Sequence, residues 1–191
     1  MPILPPEPAL VPANLFQGVG ATVLDGRLWW VMHTRPRQEK SLARWLRETG
    51  IPFFLPLVPM RRPMRGRVMT SHVPLFAGYV FVLGSRDERQ RVLTTSRVVR
   101  VLEVPDQERL WSDLRQVHQL LTSRLPITPE DRLAPGMEVE IRGGPLAGLR
   151  GNIVRTASGR RFVVEVDFIH RGASVLLDDF NLQQADVRRL R

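Results

Sequence analysis

Few residues of this chain are of a type and spacing that could carry catalysis. The histidines are scattered along the sequence: His33, His72, His118 and His170. No serine or carboxylate is spaced beside one of them so as to pair a nucleophile with a base. Cysteine is absent, which excludes disulfides, thiolate chemistry and cysteine-ligated metals. We therefore predict a protein that is not an enzyme and that needs no metal ion or cofactor.

A glycine-rich stretch is the next candidate for chemistry, because such loops can cradle phosphate groups. Residues 143–151 have the sequence GGPLAGLRG. They lack the Lys-Ser/Thr ending of a phosphate-binding loop, and Pro145 removes an N–H group that a phosphate cradle would use. The stretch also lies between two predicted strands, whereas a phosphate loop precedes a helix. We therefore do not expect nucleotide binding here.

The charge of the chain indicates a polyanionic partner. It has 28 lysine and arginine residues against 19 aspartate and glutamate residues, a formal net charge of +9. An excess of this size is typical of proteins that work beside nucleic acid. Lys40 is the only lysine, so a codon bias toward arginine is an alternative explanation for part of the excess.

The hydropathy pattern gives no sign of a membrane partner. No apolar run approaches the ~18 residues that a membrane-spanning helix needs. The N-terminus lacks a basic segment followed by an apolar one, as a secretory signal would have. We expect a cytoplasmic monomer.

The elements that must position any functional residues begin with an apolar run, PLFAGYVFVL, at residues 74–83. Phe, Tyr and Val favour strands, and a bounded apolar run of this length predicts a central strand of the main sheet. Gly78 inside the run indicates a bulge or a close approach of another group to the backbone.

Around this strand the pattern predicts further strands and helices. A helix over residues 37–48 has an apolar stripe that includes Leu42 and Leu46. Ser85 and Glu88 predict a capping box at the start of a second helix. The other predicted elements are strands at 28–34, 51–60, 68–72 and 98–104, and a long helix after Pro105 with a stripe at Leu110, Leu114, Val117 and Leu121. This order predicts an α+β fold with helices packed on an antiparallel sheet.

Proline-rich segments and short strands predict the remaining organisation. Residues 1–26 are predicted to be a mobile tail, and residues 125–135, which contain three prolines, a stiff linker. Residues 136–191 have short alternating runs and Gly-rich turns, which predict a small β-barrel. The α+β domain is then expected at residues 27–124.

Three stretches of the sequence resemble a known family. GGPLAGLRGNIV at residues 143–154 resembles the KOW motif, in which glycines shape a turn between two barrel strands. WWVMHTR at residues 29–35 and FAGYVFV at residues 76–82 resemble the NGN domain. Together, residues 28–186 resemble a NusG-family transcription elongation factor, with an NGN domain followed by an SH3-like β-barrel KOW domain.

The resemblance implies a function and partners. NGN domains bind the clamp helices of the large subunit of RNA polymerase, bridge the DNA channel and suppress pausing. KOW domains recruit a second partner, such as the termination factor Rho or a small-subunit ribosomal protein. The factor would thereby regulate termination and antitermination.

The resemblance also implies site residues at matching positions. The polymerase-binding pocket would be lined by His33, Phe76 and Tyr79. The surface that faces the non-template DNA strand would include Arg35, Thr95 and Arg97. The arginines of a predicted hairpin tip are expected to face DNA as well: Arg61, Arg62, Arg65 and Arg67. Phe168 and Arg171 would form the partner-binding loop of the KOW domain.

Two departures from the family pattern refine the interpretation. Ala77 stands where a proline is usual, and His33 replaces an aromatic or amide residue. Together with the long proline-rich head, they favour a specialised, RfaH-like paralogue over the general factor. The alternative is a KOW-type RNA-binding ribosomal or ribosome-assembly protein, which would show tight, salt-sensitive RNA binding.

Overall fold

The computed structural model of the chain describes residues 8–17, 26–64, 67–123, 125–131, 136–157, 159–177 and 187–189. Within these ranges the protein has three α-helices, and every strand pair is antiparallel, so the predicted α+β class is confirmed. The chain divides into two compact units, Met1–Glu108 and Arg109–Arg191. No helix in the described ranges is long and apolar enough to cross a membrane.

The first unit is built on a five-stranded sheet. Its strands are β1 (Leu10–Val11), β2 (Leu28–Thr34), β3 (Phe53–Phe54), β6 (Tyr79–Gly84) and β7 (Val98–Glu103), and a separate pair consists of β4 (Leu57–Met64) and β5 (Arg67–Pro74). The order in the sheet is β1-β3-β6-β2-β7. The strand predicted from the apolar run, β6, is therefore the middle strand, as expected.

One face of this sheet packs against two helices, α1 (Glu39–Glu48) and α2 (Arg86–Leu93). The stripe of α1 is buried at Leu42, Ala43 and Leu46, where it meets Trp30 and Met32 of β2 in one apolar cluster. At the start of α2 both hydrogen bonds of the predicted capping box are present, which confirms that prediction. Helix and strand faces thus follow the apolar spacing of the sequence.

The opposite face of the sheet is aromatic and is partly covered by the N-terminal segment. Phe16 is 6% exposed; its ring stacks on Trp29, with centroids 6.0 Å apart, and meets Phe54 edge-on at 5.2 Å. The prediction of a mobile tail over residues 1–26 is therefore corrected for residues 8–17. These residues add the edge strand β1 to the sheet and an aromatic side chain to the core. They pack there because alternate residues of β2 and β3 point to the same face of the sheet and make it apolar.

The third helix, α3 (Gln107–Thr122), begins at the end of the first unit, and its residues from 109 onward belong to the second. Leu110, Leu114 and Val117 are buried as predicted, but Leu120 is buried where the predicted stripe had Leu121. The division at residue 108 lies well before the predicted linker, because side chains of α3 hydrogen-bond to loops of the second unit, as described below.

The second unit contains one six-stranded sheet. Its strands are β8 (Ile127–Glu130), β9 (Met137–Ile141), β10 (Arg150–Thr156), β11 (Gly159–Val166), β12 (Arg171–Leu177) and β13 (Val187–Arg189), in the order β13-β9-β10-β11-β12-β8. No pairing of β13 with β8 is found in the described ranges. In the described ranges the short predicted strands form one sheet, and its closure into a barrel stays a prediction.

Part of the predicted linker is the edge strand β8 of this sheet. Proline is tolerated at an edge, where its missing N–H faces solvent. Polar bonds attach the strand: the Ser174 hydroxyl donates to Glu130, and Arg161 Nε donates to the Ser174 hydroxyl at 2.8 Å. The linker prediction is therefore corrected for residues 127–130, because side chains far away in sequence hold this segment in the sheet.

Candidate functional site

The site implied for RNA polymerase lies around a turn that ends at Gly78, just before β6. Gly78 has a φ of +84°, which favours glycine. Its N–H donates to Glu39 Oε1 at 2.7 Å, and its carbonyl oxygen accepts the Thr34 N–H at 2.8 Å. The expectation that another group comes close to this glycine is confirmed, since the His33 ring would be 3.6 Å from a Cβ placed there.

Two of the three predicted pocket residues are brought together beside this turn. His33 on β2 is the cross-strand partner of Tyr79 on β6, and their ring centroids are 5.4 Å apart. Both side chains are half-buried, which leaves part of each available at the surface. Directly opposed residues of an antiparallel pair share one face of the sheet, so the two rings form one continuous patch.

Arg100 extends this patch and was missed in the sequence. It is the partner of His33 on the other neighbouring strand, β7, and it is exposed. The three side chains Tyr79, His33 and Arg100 thus form a row across the sheet, which we call the Tyr79–Arg100 row. An arginine inside an otherwise apolar strand was the signal, but only the strand register shows that it neighbours His33.

Phe76, the third predicted pocket residue, does not line this surface. It is 1% exposed, and its ring packs edge-on against Phe81 with centroids 6.2 Å apart. The reason is the turn that ends at Gly78: it directs Phe76 into the core before the chain enters β6. The assignment of Phe76 to the polymerase pocket is therefore corrected, and its role in this structure is packing.

The residues implied for the DNA surface also lie together. The Arg35 N–H donates to the Arg97 carbonyl oxygen at 2.8 Å, which joins the end of β2 to the start of β7. Arg97 Nε donates to the Ser41 hydroxyl of α1 at 2.9 Å, while the Thr95 hydroxyl donates to the Val92 carbonyl oxygen. Arg35 is exposed and Arg97 half-buried, so this corner presents positive charge next to the start of α1.

The hairpin arginines belong to a different element. Arg61 is exposed on β4, which pairs with β5 as a two-stranded sheet of its own. Arg62 and Arg67 lie in these strands at positions where only the backbone is described, and Arg65 lies outside the described residues. The predicted hairpin is confirmed, and its assignment to DNA stays a prediction.

The predicted partner loop of the second unit follows β11. A short 3-10 turn at residues 167–169 holds Phe168, whose side chain is half-buried, and His170 then adopts a φ of +50°. Arg171 is ion-paired with Asp131, an exposed carboxylate at the end of β8. The ion pair thus links the end of the loop to the end of β8.

A polar row on α3 contacts the loops of the second unit and was not recognised in the sequence. Asp113 Oδ2 accepts the Asp167 N–H at 3.1 Å, and Gln116 Oε1 accepts the Arg150 N–H at 2.7 Å. One turn further, Gln119 Nε2 donates to the Ala147 carbonyl oxygen at 2.7 Å. Polar side chains at every third position of a helix were the available signal.

Asp113 is the titratable group most affected by its surroundings. Burial raises its pKa to about 6, and the hydrogen bond from Asp167 N–H and the charge of Arg109 act in the opposite direction. Burial also lowers the pKa of His118 on the same helix. In the described residues no group of three or more His, Asp or Glu side chains could hold a metal ion.

A protein-family model matches the first part of the chain. Residues 27–120 match the family model NusG, described as transcription termination factor nusG. The match covers β2 to β7 and most of α3, and it includes His33, Gly78 and Tyr79. No match to the chain was found among curated proteins.

Proposed function

Because this chain belongs to the NusG family through its residues 27–120, we propose that it binds RNA polymerase at the Tyr79–Arg100 row and suppresses pausing during elongation. Members of this family are transcription elongation and termination factors that bind RNA polymerase. The row would contact the clamp helices of the large subunit of the polymerase.

The observation that carries this proposal is the placement of His33 and Tyr79. Aromatic and arginine side chains are the residues that most often dominate binding energy at interfaces. Here a tyrosine, an imidazole and an arginine stand side by side on adjacent strands. His33 and Tyr79 lie on the inner strands β2 and β6, and Arg100 lies on the edge strand β7. Backbone that is already ordered in the sheet presents all three side chains, so little conformational entropy is lost when a partner binds.

The basic corner next to this row fits the DNA strand. Arg35 follows His33 by two residues and is exposed, and Arg97 is bonded to it through the backbone. A protein held on the polymerase by the row would bring these guanidinium groups to the single-stranded non-template DNA, whose phosphates they can pair with. Arg61 and the other hairpin arginines would extend this contact.

Suppression of pausing follows from differential binding. A ligand shifts an equilibrium between two polymerase states only as far as its affinity for the two states differs. A factor that binds the closed clamp more tightly than the open one therefore favours the elongating state, without any chemistry of its own.

For the second unit we propose a KOW-like role in recruiting a further protein, such as Rho or a small-subunit ribosomal protein. The glycine turn before β10 supports it, since Gly144 and Gly148 have φ of +71° and +85° and Leu149 is buried. Phe168 and Arg171 are the contact residues of this proposal. Ala77, His33 and the long head support an operon-specific, RfaH-like role in antitermination.

Binding to core RNA polymerase tests the main proposal. We expect the double variant His33→Ala/Tyr79→Ala of the full chain to bind at least roughly ten-fold more weakly, as for the loss of hot-spot residues. The matched control is His170→Ala/Leu176→Ala, which removes an exposed imidazole and an exposed apolar side chain from the second unit. Unchanged binding of the first variant, with both proteins folded, would rule out this surface.

One observation favours the RNA-binding alternative for the second unit. Arg155 and Arg160 are exposed and directly opposed on β10 and β11. Like charges in this arrangement repel each other, and a polyanion would remove the repulsion. The alternative predicts that Arg155→Gln/Arg160→Gln weakens binding of the full chain to single-stranded RNA and flattens its salt dependence. If RNA binding is weak and unaltered by the change, the alternative fails.

A further inference from the structure

We propose that Glu39 is a positioning residue for the polymerase site: its carboxylate holds the turn at Gly78 and thereby places His33 and Tyr79 for binding. The inference rests on the proposed function for its consequence, but its structural step can be tested separately. Glu39 is the first residue of α1, and its Oε1 accepts the Gly78 N–H.

Glu39 is buried, which is unusual for a glutamate. The residue is 7% exposed, and glutamate is rarely so buried unless a partner compensates its charge. The partner found is the Gly78 N–H at 2.7 Å. The N-cap residue of α1, Gln38, makes no side-chain capping bond, so the carboxylate of the first helical turn is directed across the fold and does not cap its own helix.

Gly78 is held from two sides. While Glu39 of α1 accepts its N–H, its carbonyl oxygen accepts the N–H of Thr34 on β2. The preceding turn is closed by the Tyr79 N–H, which donates to the Phe76 carbonyl oxygen at 3.1 Å. Of these three bonds, the one to Glu39 is the one that comes from a helix, so it ties the turn to α1.

The position of His33 depends on this glycine. A Cβ at residue 78 would be in van der Waals contact with two atoms of the His33 ring, Cδ2 and Nε2. The imidazole Nδ1 is buried and has no hydrogen-bond partner among the described residues. Packing against Gly78 and Tyr79 therefore places the ring, and a displaced turn would displace the patch.

Two conservative variants of Glu39 distinguish the effect of side-chain length from the effect of charge. Glu39→Gln keeps the length of the side chain and an acceptor oxygen, whereas Glu39→Asp keeps the charge but is one methylene shorter. If position is what matters, the Gln variant should bind core polymerase within about two-fold of the wild type, and the Asp variant should resemble Glu39→Ala, with binding weakened roughly five-fold or more. Glu48→Ala, an exposed glutamate at the other end of α1, is the matched control and should bind as the wild type.

Amide hydrogen exchange at Gly78 gives a readout that does not depend on polymerase. Exchange should be faster in the Asp and Ala variants than in the wild type, while amides in the centre of β6 keep their protection. If the Ala variant does not fold, the Asp and Gln variants decide the question alone. An Asp variant that binds like the wild type, or a Gln variant as weak as Asp, would overturn the positioning role. If the wild type does not bind polymerase, the proposed function fails, and the exchange data still test the bond.

Discussion

Two turn glycines, Gly78 in the first unit and Gly148 in the second, have nearly the same backbone conformation but are held in different ways. Their φ angles are +84° and +85°. The Gly148 N–H donates to the Ile141 carbonyl oxygen at 2.7 Å, a backbone bond within the turn between β9 and β10. The Gly78 N–H donates to the side chain of Glu39, a residue 39 positions earlier on α1.

This difference shows which turns a local pattern can specify. The Gly148 N–H is satisfied inside the turn itself, so the glycine spacing at residues 143–151 and the apolar Leu149 predict this turn. Gln119 and Gln116 of α3 bond the neighbouring Ala147 and Arg150, but not Gly148 N–H. The Gly78 turn needs a helix to be in place before its N–H is satisfied. We infer that the second turn is a property of the assembled sheet, and that this makes it suitable for positioning a binding site.

The largest effect on stability is expected from a third glycine, Gly151. Glycine is needed there because a side chain would not fit, and not because of a positive φ. A Cβ at Gly151 on β10 would lie 2.2 Å from the Val163 carbonyl oxygen of β11. Because backbone cannot move aside cheaply, Gly151→Ala should destabilise the second unit by about 3 kcal/mol. Hydrogen exchange measured for each unit would show lost protection on β10 and β11. Retained protection there would contradict the close approach.

A matched pair of glycine variants tests the comparison directly. Gly78→Ala and Gly148→Ala each force alanine into a left-handed conformation, at a cost of about 1–2 kcal/mol. The nearest side-chain atoms beyond each are at ordinary contact distance, 3.6 Å and 3.8 Å. Urea unfolding should therefore show similar losses of stability, but only Gly78→Ala should weaken polymerase binding. Equal weakening by both would remove the distinction between the two turns.

The smallest effect is a pH dependence of stability that comes from Asp113. Like Glu39, Asp113 has a carboxylate that accepts a backbone N–H. Burial raises its pKa from 3.8 to about 6 in the folded protein. Between pH 3.8 and about pH 6 the folded state binds a proton at Asp113 that the unfolded state releases. The stability that this proton binding contributes is fully present below pH 3.8 and is lost as the pH rises through about 6. Asp113→Asn keeps an acceptor oxygen but cannot titrate.

The measurement is the difference in stability between Asp113→Asn and the wild type at pH 4 and pH 7.5. On going to the higher pH, the free energy of unfolding of the variant should rise by about 1 kcal/mol relative to that of the wild type. This is less than the pKa shift alone would give, because the carboxyl keeps some contact with solvent. A difference that does not change with pH would mean that the folded protein does not raise this pKa.

The candidate site was predictable in part. His33 and Tyr79 were identified through the resemblance of their stretches to the NGN domain, and the strand register then places them side by side. Phe76 was misplaced because an aromatic beside a glycine turn can face either way, and only the turn direction decides. Arg100 required the pairing of β7 with β2, which is a contact between distant segments.

Glu39 carried a signal that was not used. It stands three residues before Leu42, so it falls on the same face as the buried stripe of α1. A charge at a buried position of a helix calls for a partner, but spacing along the helix cannot identify one. The partner, Gly78, became visible only when α1 was packed on the sheet.

The amino-acid sequence by itself determined the three helices, most of the strands, the middle place of β6, the capping box of α2 and the glycine turn before β10. Each depends on periodic burial or on bonds within a few residues, which short-range pattern specifies. Tertiary structure alone decided that Phe16 enters the core, that residues 127–130 join a sheet, and that Glu39 meets Gly78. These contacts join segments far apart in the chain, and they form because buried apolar surface and buried polar groups each require a partner wherever the fold supplies one.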